Sequence, residues 1–583
     1  MSADVSHAKS APVRGLRCNQ SWRRNQRERD ARSPSKKWLG NIQTELSPAL
    51  QRMSDSNISR RSFVQTGLMF LLAGRAALAS DFAVTSARAT GVEVTLEGRT
   101  ANLGRELVNF GLPLPPGFLS DPRNVRVVNA VGQEFSAAVR VLEPWRIGGR
   151  EGSIRSLLIQ FTSDFSRERT QRIKILFQSR RKNESSFVPV AATLLDEEGL
   201  KGPRVLALLP ARWLCDSLVV GPQTPAVESG PYAPYDHFVE KNFPGSLAYL
   251  DSQVYSEWLF DRTTAYYKMY VRTGERKFLE AAYHAAHFVR LHTKRDGPDA
   301  GIFTLKGADL KYVYPRAMHL HYLLTGDERA LVTGKLMAQY CIKNQGPVYR
   351  PERIAPVPLG VDPERGRNFW TLRHQGYGLL GILHGWEMTG DRAYWIKARE
   401  CLDAYYNHQR QPPDGRPPDG SLRQDWERYD PNEATFKGAT SAWMMALLLD
   451  PLFYYWTLTG DKRVAEMVVK WCDFLDRQGM VPDGSKAYYV INCFAAFDPK
   501  EPRGALGPDM EMHNAEMAYT FALGSFFTDD HERRKTYRKR FEQLFPLAVA
   551  LDVNHPARAF NWAFQFSSQL IYFMQHAGAG KRK

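Results

Sequence analysis

Residues 369–406 read FWTLRHQGYGLLGILHGWEMTGDRAYWIKARECLDAYY. An apolar, aromatic-rich run ends at Thr389-Gly390-Asp391, and an amphipathic run with Arg392 in its first turn leads back. Gly390 suits the left-handed residue that follows a helix, and Asp391 can cap the next one, so the stretch predicts a helical hairpin. The same punctuation recurs as Thr273-Gly274-Glu275, Thr325-Gly326-Asp327 and Thr459-Gly460-Asp461, with a worn copy at Thr528-Asp529-Asp530. Starts lie 52, 64, 70 and 69 residues apart. The hairpin therefore repeats with variable loops.

Working outward, inner helices are expected over 252–272, 309–324, 370–388, 441–458 and 510–527, each with an outer partner after its Thr turn. A last helix over 557–575 has no partner in the pattern. Five hairpins plus one helix predict an (α/α) toroid of five to six hairpins. The Thr-Gly-Asp links are short, whereas the connections 292–308, 344–369, 409–440 and 478–509 are long. Long polar loops carry binding sites, and helix N-termini favour anionic groups, so the cleft is expected at the N-terminal ends of the inner helices.

Chemistry-bearing residues gather in those positions. Tyr255, Glu257 and Asp261 belong to the first inner helix; Asp309, Lys311, Tyr312, Tyr314, Arg316 and His319 serve the second. Trp370, Arg373, His374 and Tyr377 belong to the third, and Glu511, His513, Asn514 and Glu516 to the fifth. Singly, a Tyr or His on an apolar helix face is usually a satisfied core group. Collectively they can form a site, with Arg373, His374, Tyr377, Glu511, His513 and Asn514 as catalytic candidates. Tyr255, Tyr312, Tyr314, Arg316, Trp370 and Glu516 are the substrate-binding candidates.

Two chemistries fit. A polysaccharide lyase needs an Arg or Asn to neutralise a uronate carboxylate, a base for the C5 proton and an acid for the leaving oxygen. A glycoside hydrolase needs two carboxylates roughly 5–10 Å apart, such as Glu511 or Glu516 with Glu257, Asp261 or Asp309. A non-catalytic glycan-binding protein is a third possibility. The Asp-rich run 414–433 lacks EF-hand spacing, and Asp425, Trp426 and Glu427 in it could touch substrate from the rim. No zinc-ligand pair, Cys-x-x-Cys, dinucleotide loop or P-loop occurs, so neither metal nor cofactor is expected.

Residues 90–200 read as short strands: 92–96, 125–130, 137–142, 154–161 and 172–177, with Asn129–Gln133 as a hairpin turn. A small β-barrel or β-sandwich is expected over 80–180. After it come a β-rich connector over 181–235 and the toroid over 236–583. Within the β region, Phe110-Gly-Leu-Pro-Leu-Pro-Pro-Gly117, Val125-Arg-Val-Val-Asn-Ala-Val-Gly132, Trp145 and Gly152-Ser-Ile-Arg-Ser-Leu-Leu-Ile-Gln-Phe161 resemble the N-terminal barrel of the exo-rhamnogalacturonan lyase/YetA-like family. That resemblance implies a barrel and a sandwich before a C-terminal α/α toroid, and lyase action on a rhamnogalacturonan-like, uronate-containing glycan. The chain departs from the family in its short 178–235 segment and in Glu151, which replaces the Asp of a Trp-x-Asp-Gly-Ser stretch.

The chain has 583 residues and a net charge of +16. Residues 1–79 hold 14 Lys/Arg against 5 Asp/Glu, leaving 64 against 57 in the rest. With the basic excess concentrated in a leader, nucleic acid is not an expected partner. Ser59-Arg60-Arg61-Ser62-Phe63-Val64, the apolar run 67–74 and Ala77-Leu78-Ala79 predict a twin-arginine signal with core 53–79, cleaved after Ala79. The expected partners are the Tat translocase during export and then a polysaccharide or oligosaccharide, with no stable membrane insertion, in the periplasm or outside the cell. Translation could begin at Met1 or Met53. Of the five cysteines beyond the leader, Cys341, Cys401 and Cys472 lie on apolar helical faces and read as buried free thiols; a disulfide elsewhere stays open.

Overall fold

Alternating side chains set the first elements. In β1 (Gly91–Gly98) Val92, Val94 and Leu96 are buried while Glu93 faces water, the period-2 pattern of a sheet with one wet face. The computed structural model describes residues 89–194, 201–345, 371–412, 416–424, 436, 438–507, 510–554 and 556–581. The leader and its twin-arginine motif, Trp370, Asp425, Trp426 and Glu427 lie outside them. No helix among the described residues is long and apolar enough to cross a membrane.

β2 (Arg105–Pro113), β3 (Val125–Asn129), β4 (Ala137–Ile147), β5 (Arg150–Asp164), β6 (Thr170–Phe177) and β7 (Val205–Leu208) join β1 in two antiparallel sheets, ordered β3-β6-β1-β7 and β2-β5-β4. Among the described strands no ladder joins the two sheets. Two strands escaped the sequence pattern. β2 was obscured by Gly111 and the prolines after it, and β7 lies in the stretch expected to be connector, where it pairs with β1.

The hairpins obey the Thr-Gly punctuation. They are α3 (Arg262–Thr273) with α4 (Arg276–Leu291), α5 (Pro315–Thr325) with α6 (Glu328–Asn344), and α7 (Leu372–Thr389) with α8 (Arg392–Arg410). Then come α9 (Ala442–Thr459) with α10 (Lys462–Phe474), and α11 (Asn514–Phe527) with α12 (His531–Val549). Gly390 takes φ 68° and closes α7 by bonding Trp386 O, while Asp391 accepts from Ala393 N to open α8. A short first helix, α1 (Ala211–Asp216), links the sheets to the ring and packs on α3.

The sixth hairpin corrects the sequence reading. The segment expected to be one unpaired helix over 557–575 is two short helices, α13 (Arg558–Phe564) and α14 (Leu570–Gln575), and they do have a partner. That partner is α2 (Ala233–Ser246), more than 300 residues upstream. Phe238 packs 4.7 Å from Phe564 with the rings tilted by 44°, and Tyr235 Oη and Ser567 Oγ bond at 2.8 Å. Tyr232, just before α2, packs on Phe541 and Phe545 of α12. The inner ring α3-α5-α7-α9-α11-α13 is thereby closed. Prolines at the start and inside of α2 hid its helical period.

Close helix approach holds the ring. A Cβ on Gly376 of α7 would run into the backbone carbonyl of Leu447 on α9. Helix propensity alone favours Ala there by ~1 kcal/mol, but overpacking costs about 1–3 kcal/mol. Gly376→Ala is therefore expected to lower the urea midpoint at unchanged slope. A midpoint equal to or above that of the wild type would deny the close approach.

The ring has two unlike ends. Its C-terminal end, where the Thr-Gly turns lie, rests on the β2-β5-β4 sheet: Ser156 Oγ donates to Leu323 O, and Gly148 N to Leu458 O at 2.7 Å. Helix C-termini attract cations, and Arg155 of β5 is buried there among Glu143, Glu387 and Tyr454. Arg155 bonds Glu143 at 3.1 Å and pairs with Glu387; Glu143 Oε2 accepts from His319 Nε2 at 2.8 Å; His319 Nδ1 meets His384 Nδ1 at 2.8 Å. His319, His384 and Glu387 could gather round a metal ion. The two histidines already meet through their Nδ1 atoms, and Glu387 is paired with Arg155, which supplies the positive charge, so we assign the cluster to the junction. All five cysteines beyond the leader are buried free thiols, and burial pushes Cys215, Cys401 and Cys493 up to about 12.

Candidate functional site

The opposite, N-terminal end is open to the long loops. Here α3 does not begin at 252 as expected. Residues Tyr255–Trp258 form a 3-10 turn, and Asp261 caps α3 by accepting from Thr264 N at 3.0 Å and Thr264 Oγ1 at 2.6 Å. The turn is held from the neighbouring α13, where Asn561 Nδ2 donates to the carbonyls of Glu257 and Leu259. Between them Phe260 adopts φ 65°, a left-handed conformation that costs a bulky residue of order 1–3 kcal/mol. Its ring stacks 5.8 Å from Tyr377 and lies 5.6 Å from Trp562 and 6.3 Å from Trp443. This strained aromatic forms the floor beneath the mouth.

On that floor stands an aromatic cluster. His513, at the N-terminal end of α11, stacks on both Trp443 and Trp562, with ring centroids 4.8 Å away in each case and planes tilted by 15° and 26°, while the two indoles lie 6.5 Å from each other. Trp443 also stacks on Tyr489 at 5.9 Å, and the guanidinium of Arg373 sits 5.3 Å from its centroid. Arg558 lies 5.3 Å over Trp562. Among the described residues the buried indole N–H groups of Trp443 and Trp562 find no acceptor, and the buried Asn514 side-chain oxygen finds no donor. Trp443, Trp562 and Tyr489 were not singled out from sequence, because an aromatic on an apolar helix ordinarily means core. Only their meeting at His513 sets them apart.

The third inner helix supplies charge. Thr371 caps α7, and its hydroxyl faces His374 Nδ1, while His374 Nε2 donates to Asp309 Oδ1 at 3.2 Å. Lys311 Nζ bonds the other Asp309 oxygen at 2.7 Å. Burial alone would raise Asp309, but the His374 bond and Lys311 hold it well below the usual carboxylate range. Burial pushes His374 down to about 4, so the pair is a carboxylate with a neutral imidazole. Both His374 nitrogens are thus engaged. Arg373 and Lys311 are lowered by burial, and Lys311 further by Arg373, which marks a site with surplus positive charge.

The remaining candidates divide. Tyr312 and Tyr255 form an edge contact at 5.8 Å on the rim, with Tyr255 41 % exposed and Lys306 over it. Burial raises the Tyr312 hydroxyl, which keeps its proton. Tyr314 and Tyr377 lie under the floor: the Tyr314 hydroxyl donates to Trp258 O and that of Tyr377 to Gln565 Oε1 at 3.0 Å. Arg316 is deeper still, on Asp450 at 2.5 Å and near Asp261 at 3.9 Å. Tyr312 lies in a separate 3-10 turn before α5, and Tyr312, Arg316 and His319 reach the mouth, the axis and the junction respectively. Glu511 pairs with Lys486 on the rim. Glu516 is buried against His513, with Oε2 2.7 Å from Nδ1.

No protein-family model and no curated protein matches the sequence. Solved structures with similarity include a polysaccharide lyase, at 13% identity and TM-score 0.41, covering 58% of this chain and 97% of that one. An unsaturated glucuronyl hydrolase from Bacillus sp. GL1 matches at 14% identity and TM-score 0.37, covering 57% and 89%. Cellobiose 2-epimerase from Bacillus thermoamylovorans matches at 15% identity and TM-score 0.35, covering 51% and 74%. The reaction has to be argued from the site's own chemistry.

Proposed function

We propose that the protein is a carbohydrate-active enzyme that cleaves a uronate-containing glycan by β-elimination at the toroid mouth. The observation that carries this reading is Trp443, shared between the Arg373 guanidinium and the His513 ring. A cation for a carboxylate, an imidazole and an aromatic face thus adjoin. Arg373, with Lys311 beside it, neutralises the uronate carboxylate and so acidifies the C5 proton. His513 Nε2 takes that proton as the C5–H bond breaks. The C4=C5 bond forms, the C4–O4 pair leaves with O4, and Tyr312 from across the mouth returns a proton to O4.

The hydrolase reading is weaker on the same geometry. It requires two free carboxyl groups facing one sugar. Among the described residues Asp261 caps α3, Asp309 is held by His374 and Lys311, Glu511 pairs with Lys486, and Glu516 sits against His513, which leaves Glu257 as the single candidate carboxyl group without a partner.

The test is a panel of uronate-bearing polysaccharides. Elimination leaves a conjugated C4–C5 double bond, so ultraviolet absorbance is expected to rise as chains shorten. New reducing ends without that absorbance would replace elimination by hydrolysis. Saturable binding without either product would make the toroid a glycan-binding module.

A further inference from the structure

Two indoles fix the plane of the His513 ring, but they do not decide which nitrogen carries its proton. That decision falls to Glu516, three residues on in α11, whose side chain is 1 % exposed and whose Oε2 lies 2.7 Å from Nδ1. Its own place is fixed in the α11 backbone, where Thr520 Oγ1 donates to the Glu516 carbonyl. His513 Nε2 makes no hydrogen bond among the described residues.

We infer that Glu516 is a positioning residue: it accepts Nδ1–H, fixes one tautomer of His513, and leaves the Nε2 lone pair available to substrate. This deepens the proposed elimination and rests on it. It also replaces the expectation that Glu516 binds substrate directly, since the carboxylate lies behind the imidazole. The opposite arrangement is a definite alternative. Burial raises Glu516 while the His513 bond opposes the rise. A carboxyl that kept its proton would donate to Nδ1 and turn Nε2–H outward, making His513 an acid rather than a base. The charged and titratable groups that face the indoles around the ring from other elements are Arg373 and Tyr489 on Trp443 and Arg558 on Trp562; on its own turn Glu511 is paired with Lys486.

Tautomers can be read directly in the full chain labelled with 15N-histidine, by long-range proton–nitrogen correlation, with the His513 signals identified by their loss in His513→Gln. Nδ1 is expected to be the protonated nitrogen in the wild type. Glu516→Gln keeps that tautomer, because the amide oxygen accepts the same N–H; Glu516→Leu gives a mixture. In turnover, Glu516→Leu is expected to lower kcat about tenfold or more, toward the ~10²–10⁴-fold worth of the base itself. KM should change little, and Glu516→Gln should recover most of the loss. An unchanged tautomer in Glu516→Leu overturns the inference alone; wild-type His513 protonated on Nε2 overturns it and also removes His513 as the base, while unsaturated product from a uronate polymer would still uphold elimination. The expected tautomer with no unsaturated product from any uronate polymer supports the role of Glu516 on His513 and overturns the elimination reading instead.

Discussion

Arg155→Met is expected to cost about 3–5 kcal/mol of stability, the range found when one partner of a buried ion pair is removed. Arg155 is 1 % exposed and answers two carboxylates, Glu143 from its own sheet and Glu387 from the end of α7. Burial alone would raise Glu143, but His319 and then Arg155 hold it low. Burial works against the Arg155 charge too, and Glu387 and Glu143 more than offset it. Methionine keeps the straight chain and removes the charge, which strands both carboxylates between sheet and helices. Adding Glu143→Gln should recover part of the loss, and the double-mutant cycle gives the coupling. A single variant within about 0.5 kcal/mol of wild type, the usual range of surface substitutions, would show that the cluster does not join the two layers.

His513→Gln is expected to lower kcat by ~10²–10⁴-fold, the usual contribution of a general base. Gln fills much of the space that the imidazole takes against Trp443 and Trp562 without offering a basic ring nitrogen. Substrate affinity should survive, because Arg373, Lys311 and the indoles remain. An unfolding midpoint near the wild type is the control that separates lost chemistry from lost structure. Turnover retained in a folded His513→Gln protein would move the base elsewhere. His374 is a poor substitute, since both its nitrogens are engaged with Thr371 and Asp309. His374→Ala would act through the freed Asp309–Lys311 pair rather than by removing a base.

Much of the scaffold was legible because its signals are local. Thr389-Gly390-Asp391 carries a left-handed glycine and an N-cap within three residues, and any chain with that turn reverses in the same way. Strand alternation at Val92, Val94 and Leu96 is equally local. The closing partner of the ring was not legible. α2 and α13 are joined by Phe238–Phe564 and Tyr235–Ser567, contacts across more than 300 residues, and the prolines of α2 blur its period.

The site divides along the same line. Arg373, His513 and Tyr312 could be nominated from their place at helix starts, because charge and ring nitrogen are written in the residue type. Which of them act together could not, since the same reasoning nominated His374 and Arg316, now occupied by Asp309 and Asp450. Repeat and hairpin turns come from short-range rules of backbone and capping, and the sequence by itself determined them. Ring closure, the burial of Arg155 and the meeting of Trp443, His513 and Trp562 depend on which distant helices touch, and only the tertiary structure decided them.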